Sequence, residues 1–110
     1  MSFAKLTAIG RLGQDPEKKE VGDSSVSKFS VAVSETYGTG DNKKEHTEWL
    51  NCEAWGKLSD LCSQYISKGS QVYIEAKPKT STWEDDKGDK KSNLVYRITM
   101  IQFLDSKPKE

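Results

Sequence analysis

The sequence predicts an all-β domain that contains one short helix. Several segments alternate apolar and polar side chains with a period of two, which is the pattern of half-buried strands. Only one stretch spaces its apolar residues at helical intervals. At 110 residues, the chain is long enough for one hydrophobic core and little else. We therefore expect one domain over residues 1–104, followed by a short disordered tail over residues 105–110.

The first two predicted strands each bury one face. The first covers residues 3–12 and ends in a turn at residues 13–16, which contain an Asp-Pro pair. The second covers residues 25–34 and leads into a flexible, basic hairpin tip over residues 38–44. The apolar side chains that alternate with polar ones are Leu6, Ala8 and Leu12 in the first strand and Phe29, Val31 and Val33 in the second.

The third predicted strand, residues 47–55, has its two tryptophans on the polar face. Trp49 and Trp55 share their parity with Thr47, Asn51 and Glu53, whereas the apolar parity belongs to Leu50, Cys52 and Ala54. A single-core domain normally buries its largest aromatic residues on the apolar side. Stacking against unpaired bases is the leading explanation for flat aromatic rings on a polar face, and an oligomer interface is the alternative.

A short helix and two further strands complete the domain. The helix stripe consists of Leu58, Leu61, Cys62 and Tyr65, and we expect Lys68-Gly69 to end the helix. Alternation resumes over residues 71–77 and 93–103, on either side of a charged loop at residues 84–91. Strand count alone would also suit a sandwich or an SH3-like barrel. A single helix between strands 3 and 4 favours an OB-fold, which is a five-stranded Greek-key barrel.

Composition limits the classes of function. Seventeen basic residues balance seventeen acidic ones, which argues against binding to nucleic acid by bulk charge alone but allows a local basic stripe. The two cysteines form neither a CxxC pair nor a disulfide framework. Because the sequence contains no long apolar run and no leader-like segment, we expect a soluble, cytoplasmic protein of a reducing compartment.

Two further aromatic residues and several cations lie in polar settings. Trp83 has the parity of the polar face if the strand continues through Pro78, and Tyr37 lies where the second strand enters the basic hairpin. Ordinary loop packing is the alternative for both rings. The candidates for phosphate contacts, each of which could equally be solvated surface, are Lys5, Arg11, Lys43, Lys44, Lys57, Lys77, Lys79 and Lys91.

A catalytic function has little support in the sequence. His46-Thr47-Glu48 fits the first half of a zinc-deaminase signature, but the second half, P-C-x-x-C, is missing. Nucleophile, base and phosphate-cradle motifs are also missing. We therefore expect no enzyme activity, no cofactor and no metal site.

Longer motifs resemble the bacterial single-stranded DNA-binding protein family. They are Gly10–Glu17 (GRLGQDPE), Ser34–Tyr37, Thr47–Trp49, Trp55–Leu58, Tyr65–Glu75 (YISKGSQVYIE) and Trp83. The resemblance runs from about Phe3 to Phe103. It implies an OB-fold domain that commonly assembles as a homotetramer and wraps single-stranded DNA without sequence preference, in replication, recombination or repair.

The resemblance also implies roles for individual residues. It makes Trp49, Trp55 and Trp83 base-stacking residues, with Trp55 in place of the family's usual phenylalanine and Tyr37 where many members have tryptophan. The basic residues that it brings near the phosphates are Lys5, Lys57, Lys68 and Lys91. The chain departs from the family's usual residues at Leu50, at Ala76 and at Lys77-Pro78-Lys79.

The end of the chain also departs from the family pattern. Members usually carry a long flexible tail with an acidic terminus that recruits repair and replication enzymes, and only residues 104–110 follow the last predicted strand. We therefore expect no tail-mediated recruitment by this chain, and a bacterial, phage or plasmid origin stays open. The alternatives to DNA are a protein partner on the same aromatic face, an RNA-preferring relative, or a primosomal DNA-binding protein built on the same barrel.

Overall fold

The computed structural model describes residues 2–105; Met1 and residues 106–110, which are most of the predicted tail, lie outside the described residues. Within that range the chain forms strands and one α-helix. They are β1 (Leu6–Leu12), β2 (Glu17–Val21), β3 (Ser24–Tyr37), β4 (Lys44–Trp55), α1 (Lys57–Tyr65), β5 (Gln71–Glu84) and β6 (Lys90–Phe103), with a turn of 3-10 helix at Gly40–Asn42. The predicted element order is confirmed, with one additional strand.

Five of the strands close into a barrel, as predicted. Their order is β1-β5-β6-β4-β3, and β3 returns to pair with the end of β1 through Arg11–Ala32 and Leu12–Val31. Most pairs are antiparallel, whereas β4 and β6 make a short parallel contact. The helix lies between the third and fourth barrel strands, β4 and β5, and contacts β3 and β4. This is the OB-fold architecture.

The sixth strand, β2, was not predicted. Its sequence, EKKEV, is exposed at every position, so it lacks the apolar alternation from which strands are predicted. It pairs with β3 outside the barrel, across a two-residue turn at Gly22-Asp23. Gly22 has a φ of +59°, a conformation that suits glycine in tight hairpin turns. That glycine was the one available sequence signal for the hairpin.

The barrel interior is formed by the apolar faces that alternation predicted. The apolar residues with no measurable exposure are Val31, Ala54, Cys62, Val72, Ile74 and Ala76. The other members of the buried cluster are Leu12, Phe29, Cys52, Ile66 and Ile98. Because these side chains point inward, their odd-numbered neighbours on β4 and β5 must face outward.

The predicted helix stripe was wrong at Leu61, which is exposed, while Ser59 is buried in its place. The Ser27 hydroxyl donates a hydrogen bond to the Ser59 carbonyl oxygen at 3.0 Å, and the two hydroxyl oxygens lie 2.8 Å apart. Mutual hydrogen bonding allows both polar side chains to be buried. The helix also ends at Tyr65, before the predicted stop at Lys68-Gly69.

The strands β3 to β6 are longer than predicted, and their far ends form two hairpins that extend beyond the barrel. β3 and β4 remain paired as far as Tyr37–Lys44, and β5 and β6 as far as Glu84–Lys90. We call these extensions the β3–β4 arm (residues 34–47) and the β5–β6 arm (residues 79–95). The radius of gyration, 16.1 Å, exceeds the about 13 Å expected of a compact domain of this size. The arms therefore widen the surface on which a long ligand could lie.

Candidate nucleic-acid interface

Trp49 projects from the outer face of β4. Its side chain is 57% exposed, whereas Cys52 and Ala54 on the opposite face are buried. The prediction that Trp49 lies on the polar face is confirmed. On the paired strand β3, Trp49 lies opposite Ala32, whose small side chain leaves the ring uncovered from that side. A large flat surface is therefore presented to solvent at the centre of β4.

Trp55 lies on the same outer face but is half-buried, so the prediction that both rings project freely was too simple. The Arg97 guanidinium lies 5.5 Å from the centre of the Trp55 ring, a cation–π distance. Arg97 Nε donates a hydrogen bond to Glu53 Oε1 at 3.0 Å, which holds the guanidinium in place. The indole N–H of Trp55 is buried and finds no hydrogen-bond partner within residues 2–105.

Each arm pairs an exposed aromatic residue with a lysine directly across the hairpin. Tyr37, 55% exposed, lies opposite Lys44, and Trp83, 49% exposed, lies opposite Lys91. Directly opposed residues of an antiparallel pair project from the same face. Each arm therefore presents a flat ring beside a cation. The ring suits stacking on a nucleobase, and the cation suits contact with its phosphate.

Two adjoining clefts lie beside Trp49. The smaller has a volume of about 240 Å³ and is lined by Gly13, Gln14, Ser30 and Trp49. The larger, about 410 Å³, shares Gln14 and Ser30 with it and extends past Asn51 and Glu53 towards the base of the β5–β6 arm. Hydroxyl and amide groups, which can bond to base edges or phosphates, line these clefts together with three carboxylates, Asp15, Glu17 and Glu53.

The predicted cationic residues fall into two groups. Lys57, Lys68 and Lys79 are exposed, on α1, on the turn after it and on the β5–β6 arm. Lys43, Lys44 and Lys77 are exposed as well. The second group is engaged within the domain: Arg11 Nη1 donates to the Gly69 carbonyl oxygen at 2.9 Å, Lys91 Nζ lies 3.9 Å from Asp85, and Lys5 is ion-paired as described below. Any phosphate contact by the second group must compete with these partners.

Lys5 belongs to a cluster on the outer face of β1 and β5. Its ammonium lies 2.7 Å from the Glu75 carboxylate, to which the Tyr73 hydroxyl also donates at 2.6 Å. The hydrogen bond from Lys5, supported by that from Tyr73, lowers the pKa of Glu75 below its ordinary value. The same carboxylate raises the pKa of Lys5. Lys5 is therefore an ion-paired lysine of the β1–β5 face.

The residues considered for catalysis do not form a site. His46 Nε2 lies 2.7 Å from Glu48 Oε1 on the exposed β3–β4 arm, and residues 2–105 contain no cluster of three or more potential metal ligands. Burial raises the pKa of both thiols, Cys52 and Cys62, to about 12, which keeps them protonated and poorly nucleophilic. Within the same range no helix has the length and apolar character that crossing a membrane requires.

Arg97 is the site residue that the sequence reasoning missed. Alternation along the last strand could have placed it on the outer face, but nothing local indicated its neighbour. The contact with Trp55 arises from the short parallel pairing in which Glu53 lies opposite Arg97, 44 positions away. Only the closed barrel brings these residues together.

Comparison with known proteins agrees with this geometry. Residues 3–104 match the sequence model of the Single-strand binding protein family. The chain is 46% identical over 106 residues to a Chlorobaculum tepidum protein named "Single-stranded DNA-binding protein 1", covering 94% of this chain and 65% of that one. It is also similar to a solved structure titled "Plasmodium falciparum SSB complex with ssDNA", with a TM-score of 0.85 and 26% identity over 96% of this chain and 97% of that chain.

The chain thus spans 65% of the length of the Chlorobaculum tepidum relative. The family match extends from before β1 to just after β6. Fold, aromatic face and sequence therefore lead to one assignment: the chain belongs to the Single-strand binding protein family.

Proposed function

We propose that this chain binds single-stranded DNA without sequence preference and without catalysis. The observation that carries the proposal is the exposed ring of Trp49 on a polar strand face, between two arms that each carry an aromatic residue beside a lysine. Double-stranded DNA hides its bases from such rings, whereas a single strand can place them flat against the aromatic surfaces. The named function of the bacterial relative and the DNA complex of the Plasmodium neighbour support the same ligand.

In the proposed mechanism, aromatic rings supply affinity and lysines supply positioning. Bases stack on Trp49, Trp83, Tyr37 and the accessible part of Trp55. Each stacked base contributes about 1–3 kcal/mol and tolerates any base, so several contacts compensate for the absence of net positive charge. The phosphates meet exposed lysines, among them Lys57, Lys68 and Lys79, whose side chains make no ion pair or hydrogen bond within residues 2–105.

The cellular role follows from this chemistry. A strand whose bases are stacked on protein cannot re-pair, so the bound protein would keep exposed DNA single during replication, recombination or repair. We propose that this takes place in the cytoplasm, where such DNA is produced in bacteria.

Titration with oligo(dT) tests the proposal directly. We expect saturable quenching of tryptophan emission, because stacked bases contact the rings, and a fall in affinity with salt whose logarithmic slope is about −0.7 per phosphate contacted. A duplex of the same length serves as the control and should bind far more weakly. A matched oligo(rU) is a second arm, which compares DNA with RNA.

Four outcomes would contradict the proposal. Equal affinity for duplex and single strand would show that the rings do not stack on bases. An affinity that does not change with salt would show that the lysines do not contact phosphates. Preference for oligo(rU) would favour RNA as the ligand. If no nucleic acid quenched the emission, the aromatic face would be better explained as a protein-binding surface.

The second part of the proposal is self-association, and it is based on an unpaired edge of β1. Leu6–Gly10 pair with β5 on one side, and pairing of β1 with β3 begins only at Arg11, so within residues 2–105 the second edge of Leu6–Gly10 is unpaired. Ile9, in the middle of this edge, is 54% exposed. An open strand edge with an exposed apolar residue is a template for pairing with another strand.

We propose that two copies pair antiparallel through this edge, because a two-fold axis lets the same strand serve both partners. The outer face of β1 and β5, with Tyr73 and the nearby exposed Met100, then forms a second surface on which two dimers can stack. A tetramer satisfies both surfaces. The Lys5–Glu75 ion pair neutralises charge on that face, which makes its burial less costly than the burial of two unpaired charges.

Ile9→Glu should lower the subunit number measured by light scattering at micromolar concentration. A carboxylate at the centre of the paired edge would be desolvated there, while the monomer tolerates it because the site is exposed. Val21→Glu is the matched control, since Val21 is an exposed apolar residue on β2, outside the barrel. A monomeric unmodified protein, or an unchanged mass for Ile9→Glu, would overturn the proposed edge.

A further inference from the structure

Gly13 lies directly beneath the Trp49 ring. A Cβ atom built at Gly13 would lie 2.5 Å from Cζ3, 3.0 Å from Cη2 and 3.6 Å from Cε3 of Trp49. All three atoms belong to the six-membered ring of the indole. The ring therefore rests on the Gly13 backbone at a distance that no larger residue would permit.

The backbone at Gly13 does not itself require glycine. Its φ is outside the left-handed region, in contrast to Gly22, Gly69 and four other glycines of the chain. An alanine could adopt the Gly13 conformation without strain. The Trp49 ring, whose atoms are the three nearest to a Cβ atom at this position, is thus the feature that requires glycine there.

The segment that supports the ring is anchored from two sides. Gly13 donates its N–H to the Ser30 carbonyl oxygen at 3.1 Å, which ties it to β3. The preceding residue, Leu12, donates to the Ser70 carbonyl oxygen at 3.0 Å and accepts from the Gly69 N–H at 2.8 Å. A backbone held by these bonds can act as a fixed support for an exposed side chain.

We infer that Gly13 is a positioning residue for DNA binding, and this inference rests on the proposed function. Its bare backbone holds the Trp49 ring at one tilt, with the cleft of about 240 Å³ open beside it. A ring already held in its stacking orientation loses less conformational freedom when a base arrives, so the support raises affinity without touching DNA.

Gly13→Ala tests this inference because the added methyl group must displace the ring. Trp49 is exposed, so the ring can swing away and the domain should stay folded. We expect a loss of oligo(dT) affinity of about 3- to 10-fold, part of what one stacked base contributes. The salt slope should not change, since no phosphate contact is altered. In an NMR spectrum, the indole N–H signal of Trp49 should move most.

Combining the change with two substitutions at Trp49 makes the test specific. In a Trp49→Ala background, Gly13→Ala should have no further effect, because no ring remains to be displaced. In a Trp49→Phe background the effect should be smaller than in the unmodified protein, since the shorter phenylalanine side chain lacks the outer atoms of the indole. This dependence on Trp49 separates ring positioning from general loop damage.

The outcomes separate this inference from the proposed function. If Trp49→Ala leaves oligo(dT) affinity unchanged, the stacking role of Trp49 fails first. If Trp49→Ala weakens binding but Gly13→Ala does not, the inference about Gly13 is overturned and the function stands. An equal loss from Gly13→Ala with and without the Trp49 ring would likewise overturn it.

Discussion

Trp49→Ala is expected to weaken oligo(dT) binding by about 1–3 kcal/mol while leaving the domain folded, because a base–aromatic stack contributes that much. The ring is 57% exposed and packs against the backbone at Gly13, so its removal opens no cavity in the barrel. Fluorescence anisotropy of labelled oligo(dT) measures the affinity, and urea unfolding measures the stability of the same sample. Trp83→Ala, on the β5–β6 arm, should behave similarly because its ring is also about half exposed.

Trp55→Ala provides the contrast. Its ring is half-buried and lies against Arg97, so we expect this change to lower both affinity and the free energy of unfolding. The assignment of Trp49 to the DNA-binding face would be wrong if Trp49→Ala unfolded the domain and left the affinity of each folded molecule unchanged.

Gly10→Ala is expected to destabilise the fold by about 3 kcal/mol, at the upper end of what overpacking usually costs. A Cβ atom at this position would lie 2.4 Å from the Ala32 carbonyl oxygen and 2.7 Å from Val31 Cγ1. The first neighbour is backbone of β3 and cannot rotate away, so β1 and β3 must separate where they close the barrel. The midpoint of urea unfolding measures the loss.

Gly13→Ala is the matched control for stability. Gly10 lies within β1 and Gly13 directly follows it, and neither has a left-handed φ. The added methyl group meets strand backbone at Gly10 but the end of an exposed ring at Gly13. We therefore expect Gly13→Ala to change stability by less than about 0.5 kcal/mol. An equally small loss for Gly10→Ala would mean that β1 and β3 are not in close contact there.

Much of the fold could be predicted because the barrel strands bury one face. Alternation of Leu50, Cys52 and Ala54 with polar residues was enough to orient β4, and the same argument oriented β1 and β5. Where neither face is buried, the pattern fails. β2 and the ends of both arms are exposed on both faces, so their side chains carry no periodic apolar signal.

The helix shows a different limit. Leu61 occupies a helical spacing that normally indicates a buried stripe, yet it is exposed and Ser59 is buried. The reason lies in β3, where Ser27 offers a hydrogen-bonding partner across 32 positions of sequence. A pattern in one segment cannot reveal a polar partner that belongs to another.

The sequence by itself determined that Trp49 lies outside the barrel, because strand parity depends only on local geometry and on which neighbours are apolar. It also carried the family motifs that indicated single-stranded DNA. Only the tertiary structure decided how the rings are held: Arg97 beside Trp55, Gly13 beneath Trp49, and a lysine across each arm from its aromatic residue. The first two contacts join residues far apart in the chain and depend on barrel closure, whereas the pairs on the arms depend on hairpin register, and local periodicity encodes neither.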